Sequence, residues 1–181
     1  MDYASQNILP HAPSAGFTLI ELLITLAVLS IVLGLGIPGI SALTESSRLR
    51  AVTHNLTSAI QLARSEAVNR RTTTAVCQIN TNASACDFTA SWRNGWIVVV
   101  ANQPGANLQV AAGVTVVRRW EGINLAINGG ANGLVFESSG RSLASSQLDT
   151  DSGSDKRCLF VSTTGRIAVV DDDDDPNDRC A

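Results

Sequence analysis

The strongest pattern along the chain is an unbroken apolar run. Between residues 22 and 40 no side chain is charged, and Leu, Ile and Val dominate. At 1.5 Å per helical residue this run reaches roughly the 30 Å of a bilayer's hydrocarbon core, so it predicts a membrane helix. Glu21 stands at its leading edge. A carboxylate there either reaches interfacial water or, once in lipid, needs a cationic partner. Near the end of the run Gly34, Gly36, Pro38 and Gly39 cluster. Pro38 lacks an N–H and clashes with the carbonyl four residues back, which predicts a kink or a stretch that unwinds readily.

From about residue 43 to 71 the pattern becomes amphipathic. Leu49, Val52, Leu56, Ala59, Ile60, Ala63 and Ala67 recur at spacings of three and four, with Arg50, His54, Ser58, Gln61 and Arg64 on the other side. Such a stripe predicts a helix laid on a sheet. Short β-rich runs follow at 74–79, 96–101, 114–120, 123–127, 134–136, 158–162 and 166–170. Turn signals divide them: Asn94-Gly95, Pro104-Gly105, Asn128-Gly129-Gly130, Ser139-Gly140 and Thr164-Gly165. Close spacing without intervening helices implies antiparallel sheet, and the class is therefore α+β with one helix packed on strands.

The 181 residues suffice for one membrane helix and one soluble domain. A formal net charge of -3 announces no nucleic-acid partner. Four cysteines in a membrane-targeted chain fit an oxidising compartment.

The residues Gly16-Phe17-Thr18-Leu19-Ile20-Glu21-Leu22, followed by an apolar helix, resemble the class III signal of type IV pilins and type II secretion pseudopilins. The resemblance implies cleavage by prepilin peptidase between Gly16 and Phe17, N-methylation of Phe17, and pairing of Glu21 with a neighbouring subunit's terminal amine. Pro38 falls where pilins commonly carry a proline, in the segment that melts on filament assembly. Two departures stand out. Residues 1–16 carry no Lys or Arg, and Arg48 and Arg50 follow the apolar run, so the positive-inside count opposes the topology that the motif implies. The motif is the more specific signal. No Ala-x-Ala site of an ordinary secretory signal follows the run.

Further along, residues 56–71 (Leu-Thr-Ser-Ala-Ile-Gln-Leu-Ala-Arg-Ser-Glu-Ala-Val-Asn-Arg-Arg) are similar to a stretch of the GspH/FimT branch that leads into its first strand. Cys77, Cys86, Trp92-Arg93-Asn94-Gly95-Trp96, Phe136-Glu137-Ser138-Ser139-Gly140-Arg141 and Thr164-Gly165-Arg166 then appear in that branch's order. The branch comprises type IV minor pilins and type II secretion minor pseudopilins, and this chain is most like its FimU-type members. The resemblance implies a leader at 1–16, a transmembrane and filament-core helix at 17–43, and a periplasmic head with an acidic tail at 44–181. It implies a minor pilin that helps prime pilus assembly near the tip, or else a pseudopilin of a secretion system. The partners would be other minor subunits, the major subunit, prepilin peptidase and, before assembly, the bacterial inner membrane.

The remaining candidates divide simply. Cys77 and Cys86 enclose a polar loop, while Cys158 stands in one of the last strands and Cys180 in the tail. Four cysteines allow three pairings, and short loops favour 77–86 with 158–180. There is no Cys-x-x-Cys, and after cleavage His54 is the sole imidazole, so no metal, no cofactor and no catalytic residue is expected. Asp149-Thr150-Asp151-Ser152-Gly153-Ser154-Asp155 misses the calcium-loop pattern and reads as a solvated turn. The aspartates at 171–175 read as a wet tail. FimT-type members are linked to DNA uptake through a Gly-Arg-x-Arg motif. Here Gly165-Arg166-Ile167-Ala168 lacks the second Arg, which leaves Arg166 as the candidate DNA contact. Between residues 155 and 181 four basic residues face seven aspartates, which argues against nucleic acid. Trp92, Trp96 and Trp120 read as core anchors before ligand stackers.

Overall fold

The computed structural model describes residues 16–130, 132–153, 155–171 and 180, and in the first helix the side chains of 35–42 lie outside the description. The expected leader, up to residue 15, and the aspartates beyond Asp171 also fall outside it. The chain divides into two compact units, Met1–Ala42 and Leu43–Ala181. Helix α1 (Leu19–Arg70) supplies helical residues to each.

In the first unit the apolar side chains from Leu19 to Leu33 are exposed on every side of the helix. In the second, the apolar stripe of α1 is buried along its whole length: Leu49, Val52, Leu56, Ala59, Ile60, Ala63 and Ala67 are each at most 1% exposed. The helix ends at Arg71, which takes a positive φ of 51°. Thr72 N–H then reaches back to the Ala67 carbonyl, closing the last turn.

Eight strands follow among the described residues: β1 (Thr74–Gln78), β2 (Gly95–Ala101), β3 (Val114–Glu121), β4 (Ala126–Gly129), β5 (Leu134–Phe136), β6 (Ser146–Asp151), β7 (Lys156–Val161) and β8 (Ile167–Asp171). They form two antiparallel sheets, ordered β3-β2-β1-β5 and β4-β6-β7-β8. The helix stripe packs on Val76, Trp96, Val98, Leu134 and Phe136 of the first sheet and on Ile127, Leu148, Leu159 and Val161 of the second. One helix therefore serves both sheets with a single core, as an α+β domain requires.

The first sheet is buried on its other face too, where Ala75, Cys77, Ile97 and Val99 meet Ala85 and Cys86 of the 79–90 loop. That double burial explains why β2 reads as a continuous apolar run and why the centre of β1, Ala75–Cys77, does too, without the alternation of a half-exposed strand. Two details differ from the sequence expectation. The strand expected at 123–127 lies at β4, a few residues later. The first three residues of the stretch expected to be a solvated turn, Asp149–Asp151, belong instead to strand β6, in which Leu148 and Thr150 are buried and Asp149 and Asp151 face outward. Thr150 is held there by the buried Thr53 hydroxyl of α1, 3.0 Å from its own. Just beyond the strand, Ser152 N–H bonds to the Asp155 carbonyl.

Candidate functional site

At the N-terminus Gly16, Phe17 and Thr18 precede α1 and are exposed, Phe17 by 84%. Glu21 N–H donates to Thr18 Oγ1 at 3.3 Å, and Thr18 N–H donates to Glu21 Oε2 at 3.5 Å. This reciprocal Thr-x-x-Glu pair is a capping box. It occupies two backbone donors at the helix entrance and sets a carboxylate at the positive end of the helix dipole. The three-residue spacing of Thr18 and Glu21 was its signal in the sequence, overshadowed by the apolar run behind it. Pro38 is part of helical backbone, and its side chain lies outside the described residues. Among the described residues, no helix is long and apolar enough to cross a membrane. The described side chains of the apolar run stop at Gly34.

In the second unit three of the sequence motifs meet at one corner. Arg64, from the Ala-Arg-Ser-Glu-Ala stretch of α1, donates from Nε to the Gly140 carbonyl at 3.1 Å and from Nη2 to the Thr164 carbonyl at 3.4 Å. It thereby clasps the Ser139-Gly140 turn and the Thr164-Gly165 turn to the helix. Both glycines are forced. Gly140 (φ +77°) would set a Cβ 2.9 Å from Val68 Cγ2, and Gly165 (φ +76°) would set one 2.4 Å from the Gly140 carbonyl oxygen. In the sequence these residues carry turn signals, and the amphipathic pattern puts Arg64 on the solvent side. The guanidinium's role needed the distance between residues 64, 140 and 164, which no local pattern carries.

Arg166 follows that corner. It is exposed, and its backbone N–H is held by Ser162 Oγ at 3.1 Å. Disulfide bonds join Cys77 to Cys86 and Cys158 to Cys180. The first fastens the 79–90 loop over the back of β1. Within that loop Asp87 accepts from Thr89 Oγ1 at 2.6 Å and Thr89 N–H at 2.9 Å, and these bonds hold its carboxyl below the ordinary aspartate range. Trp92 and Trp96 are core residues, with Trp92 Nε1 donating to the Gly129 carbonyl at 3.1 Å. Trp120 is half-buried, stacked on Trp96 with 6.4 Å between ring centroids and capped by Arg118 at 4.9 Å. His54 is exposed on α1. Among the described residues no cluster of three or more His, Cys, Asp or Glu side chains is placed to hold a metal ion.

Comparison with known proteins bears on both units. The family described as type II transport protein GspH matches residues 52–165, and the prokaryotic N-terminal methylation motif matches residues 12–37. A search of the curated proteins found no match. Among solved structures, the type IV minor pilin FimU of Pseudomonas aeruginosa PAO1 in one crystal form is 20% identical. That match covers 76% of this chain and 98% of FimU's, with a TM-score of 0.56. A second crystal form of FimU is 19% identical over 73% of this chain and 99% of its own, with a TM-score of 0.53. At these identities the likeness is one of fold.

Proposed function

The chain belongs to the GspH family of minor pilins and pseudopilins, and we propose that it is a minor pilin of the FimU type, which helps prime pilus assembly and sits at or near the tip. The observation that carries this reading is the helix surface from Leu19 to Leu33, apolar on every side and headed by a capped glutamate within a methylation motif. Such a surface is covered either by lipid or by other helices, and a filament subunit meets both in turn. Prepilin peptidase would cut between Gly16 and Phe17, where the exposed chain has not yet entered the helix, and Phe17 would be methylated. Residues 17–43 would anchor the subunit in the bacterial inner membrane with the head in the periplasm, then pack in the filament shaft. Glu21 would pair with the amine of a neighbour's first residue. Pro38 would mark the segment that loosens on assembly. The role is structural, with other minor subunits and the major subunit as partners.

The match over residues 52–165 supports a second reading, a minor pseudopilin of a type II secretion system. The same shaft and head serve either filament. A DNA-uptake role would rest on Arg166, with Ala168 where the second arginine of the motif belongs.

Affinity purification from detergent-solubilised membranes, with mass spectrometry of the co-purifying subunits, tests the proposal. Minor and major pilins are expected. Secretion components in their place would assign the second reading, and the absence of any filament subunit would overturn both.

A further inference from the structure

The second sheet ends on β8, which among the described residues pairs with β7 alone. An edge with one strand neighbour offers alternate backbone amides and carbonyls that can template an added strand. Other sheet ends in this unit are blunted. Edge strand β3 carries Arg118 and Arg119 and pairs across an irregularity at Val98/Val99. Beside β5, Leu143 N–H bonds to the Val135 carbonyl and Ser142 bridges Phe136. Edge strand β4 is four residues long and ends in glycine. By contrast β8 reads Ile-Ala-Val-Val-Asp, with no proline, no lysine and an unbroken register against β7.

Two open hollows, of about 610 and 550 Å³, lie along the line between this strand and α1, each lined by residues of both, and we treat them together as one trench. Ile167 and Val169 form its floor on the β8 side, and Val169 is 41% exposed. Its rims carry positive charge. Arg166 stands at one end and Arg50 at the other, neither with an ion pair among the described residues, while Arg157 is already matched by Asp171 at 2.7 Å. Cys180, joined by its disulfide to Cys158 of β7, has its Sγ 3.9 Å from the Val170 carbonyl.

We propose that the trench between α1 and the free edge of β8 receives an extended segment of another protein, one that alternates apolar with acidic side chains. The strand edge supplies main-chain hydrogen bonds and so requires an extended backbone. Alternate side chains of an added strand point to one face, so every second residue drops onto the Ile167–Val169 floor and must be apolar. The arginine rims select carboxylates in the partner, and a basic segment is repelled.

The test uses the full chain in detergent micelles and a fluorescein-labelled peptide of about ten residues alternating valine and glutamate, read by anisotropy. Saturable binding is expected, weakened by salt and by about tenfold or more in Val169→Asp and in Arg50→Glu/Arg166→Glu. The matching valine–lysine peptide should not bind, and Leu143→Asp, an exposed apolar position elsewhere, should leave binding unchanged. Circular dichroism of each variant separates lost binding from lost fold. Failure of the acidic peptide to bind, equal binding of both peptides, or indifference to Val169→Asp in a folded variant would overturn the proposal. So would concentration-dependent dimerisation abolished by Val169→Asp, which would give the trench to a second copy. Binding that appears only after residues 172–175 are changed to asparagine would give it to the chain's own tail.

Discussion

Arg64 Nε donates to the carbonyl of Gly140, 76 residues further along the chain, and the same guanidinium also reaches Thr164. One side chain of the helix thus holds two separate turns. A charged hydrogen bond to a carbonyl contributes about 1.5–3 kcal/mol when well formed, and less at a half-exposed site such as this one. Arg64→Ala is expected to destabilise the full chain in detergent by about 1–2 kcal/mol, lowering Tm by several degrees. Arg64→Lys should recover little, because a single ammonium cannot serve two carbonyls in fork geometry. Thermal melts followed by near-ultraviolet circular dichroism measure this, and an unchanged Tm would show the clasp to be idle.

Gly105 and Gly165 share a φ of +76°, yet a Cβ at Gly105 meets nothing within 4 Å while one at Gly165 meets the Gly140 oxygen at 2.4 Å. The two Gly→Ala variants therefore separate backbone strain from crowding. Gly105→Ala should cost about 1–2 kcal/mol, the usual penalty for a left-handed residue with a side chain. Gly165→Ala should cost clearly more, and Arg64→Ala should not rescue it because the clash is with backbone. Equal losses for the two glycines would mean that the turn at residue 165 can move aside.

The helix stripe was legible in the sequence because a 3.6-residue period survives on any amphipathic helix, and the same seven residues from Leu49 to Ala67 are the ones buried. Strand β2 is legible through its unbroken apolar run, and β1 through the β-prone Thr-Ala-Val-Cys at its start. Strand β6 was not: its inward row includes Leu148 and Thr150, and a threonine hydroxyl buried against Thr53 leaves no hydrophobic signature. The carboxylates of Asp149 and Asp151, outward on the strand, instead suggest a loop. At the candidate site, the motif residues were recognisable singly, but their meeting at Arg64 depends on tertiary contacts spanning 100 residues.

The Cys77–Cys86 bond closes a short loop, with a sequence separation of 9, over the apolar back face of β1 and β2. Constraint of the unfolded chain alone gives a loop of that size about 3 kcal/mol. Replacing both cysteines by serine should cost about that much and also open Ile97 and Val99 to solvent, so dye binding to exposed apolar surface should rise before global unfolding. Non-reducing peptide mapping should recover 77–86 and 158–180 as linked pairs. Free thiols or crossed pairs would refute the pairing.

The capping box gives Glu21 a second duty, and the two duties can be told apart. Glutamine keeps a side-chain oxygen able to accept Thr18 N–H, so Glu21→Gln should leave the helix start intact while removing the charge. Thr18→Ala does the reverse, removing the hydroxyl cap at a cost of about 0.5–2 kcal/mol while keeping the carboxylate. If Glu21 answers a neighbour's terminal amine in the filament core, the glutamine variant leaves that ammonium buried without its counter-charge, a loss of about 3–5 kcal/mol. The expected order is then specific: Glu21→Ala and Glu21→Gln both accumulate in the membrane and fall out of sheared filaments, while Thr18→Ala is still incorporated. Quantitative immunoblotting of the filament and membrane fractions reads the outcome. Should Glu21→Gln assemble like the parent while Thr18→Ala fails, the carboxylate would serve only as the helix cap, and the pairing role would have to be given up.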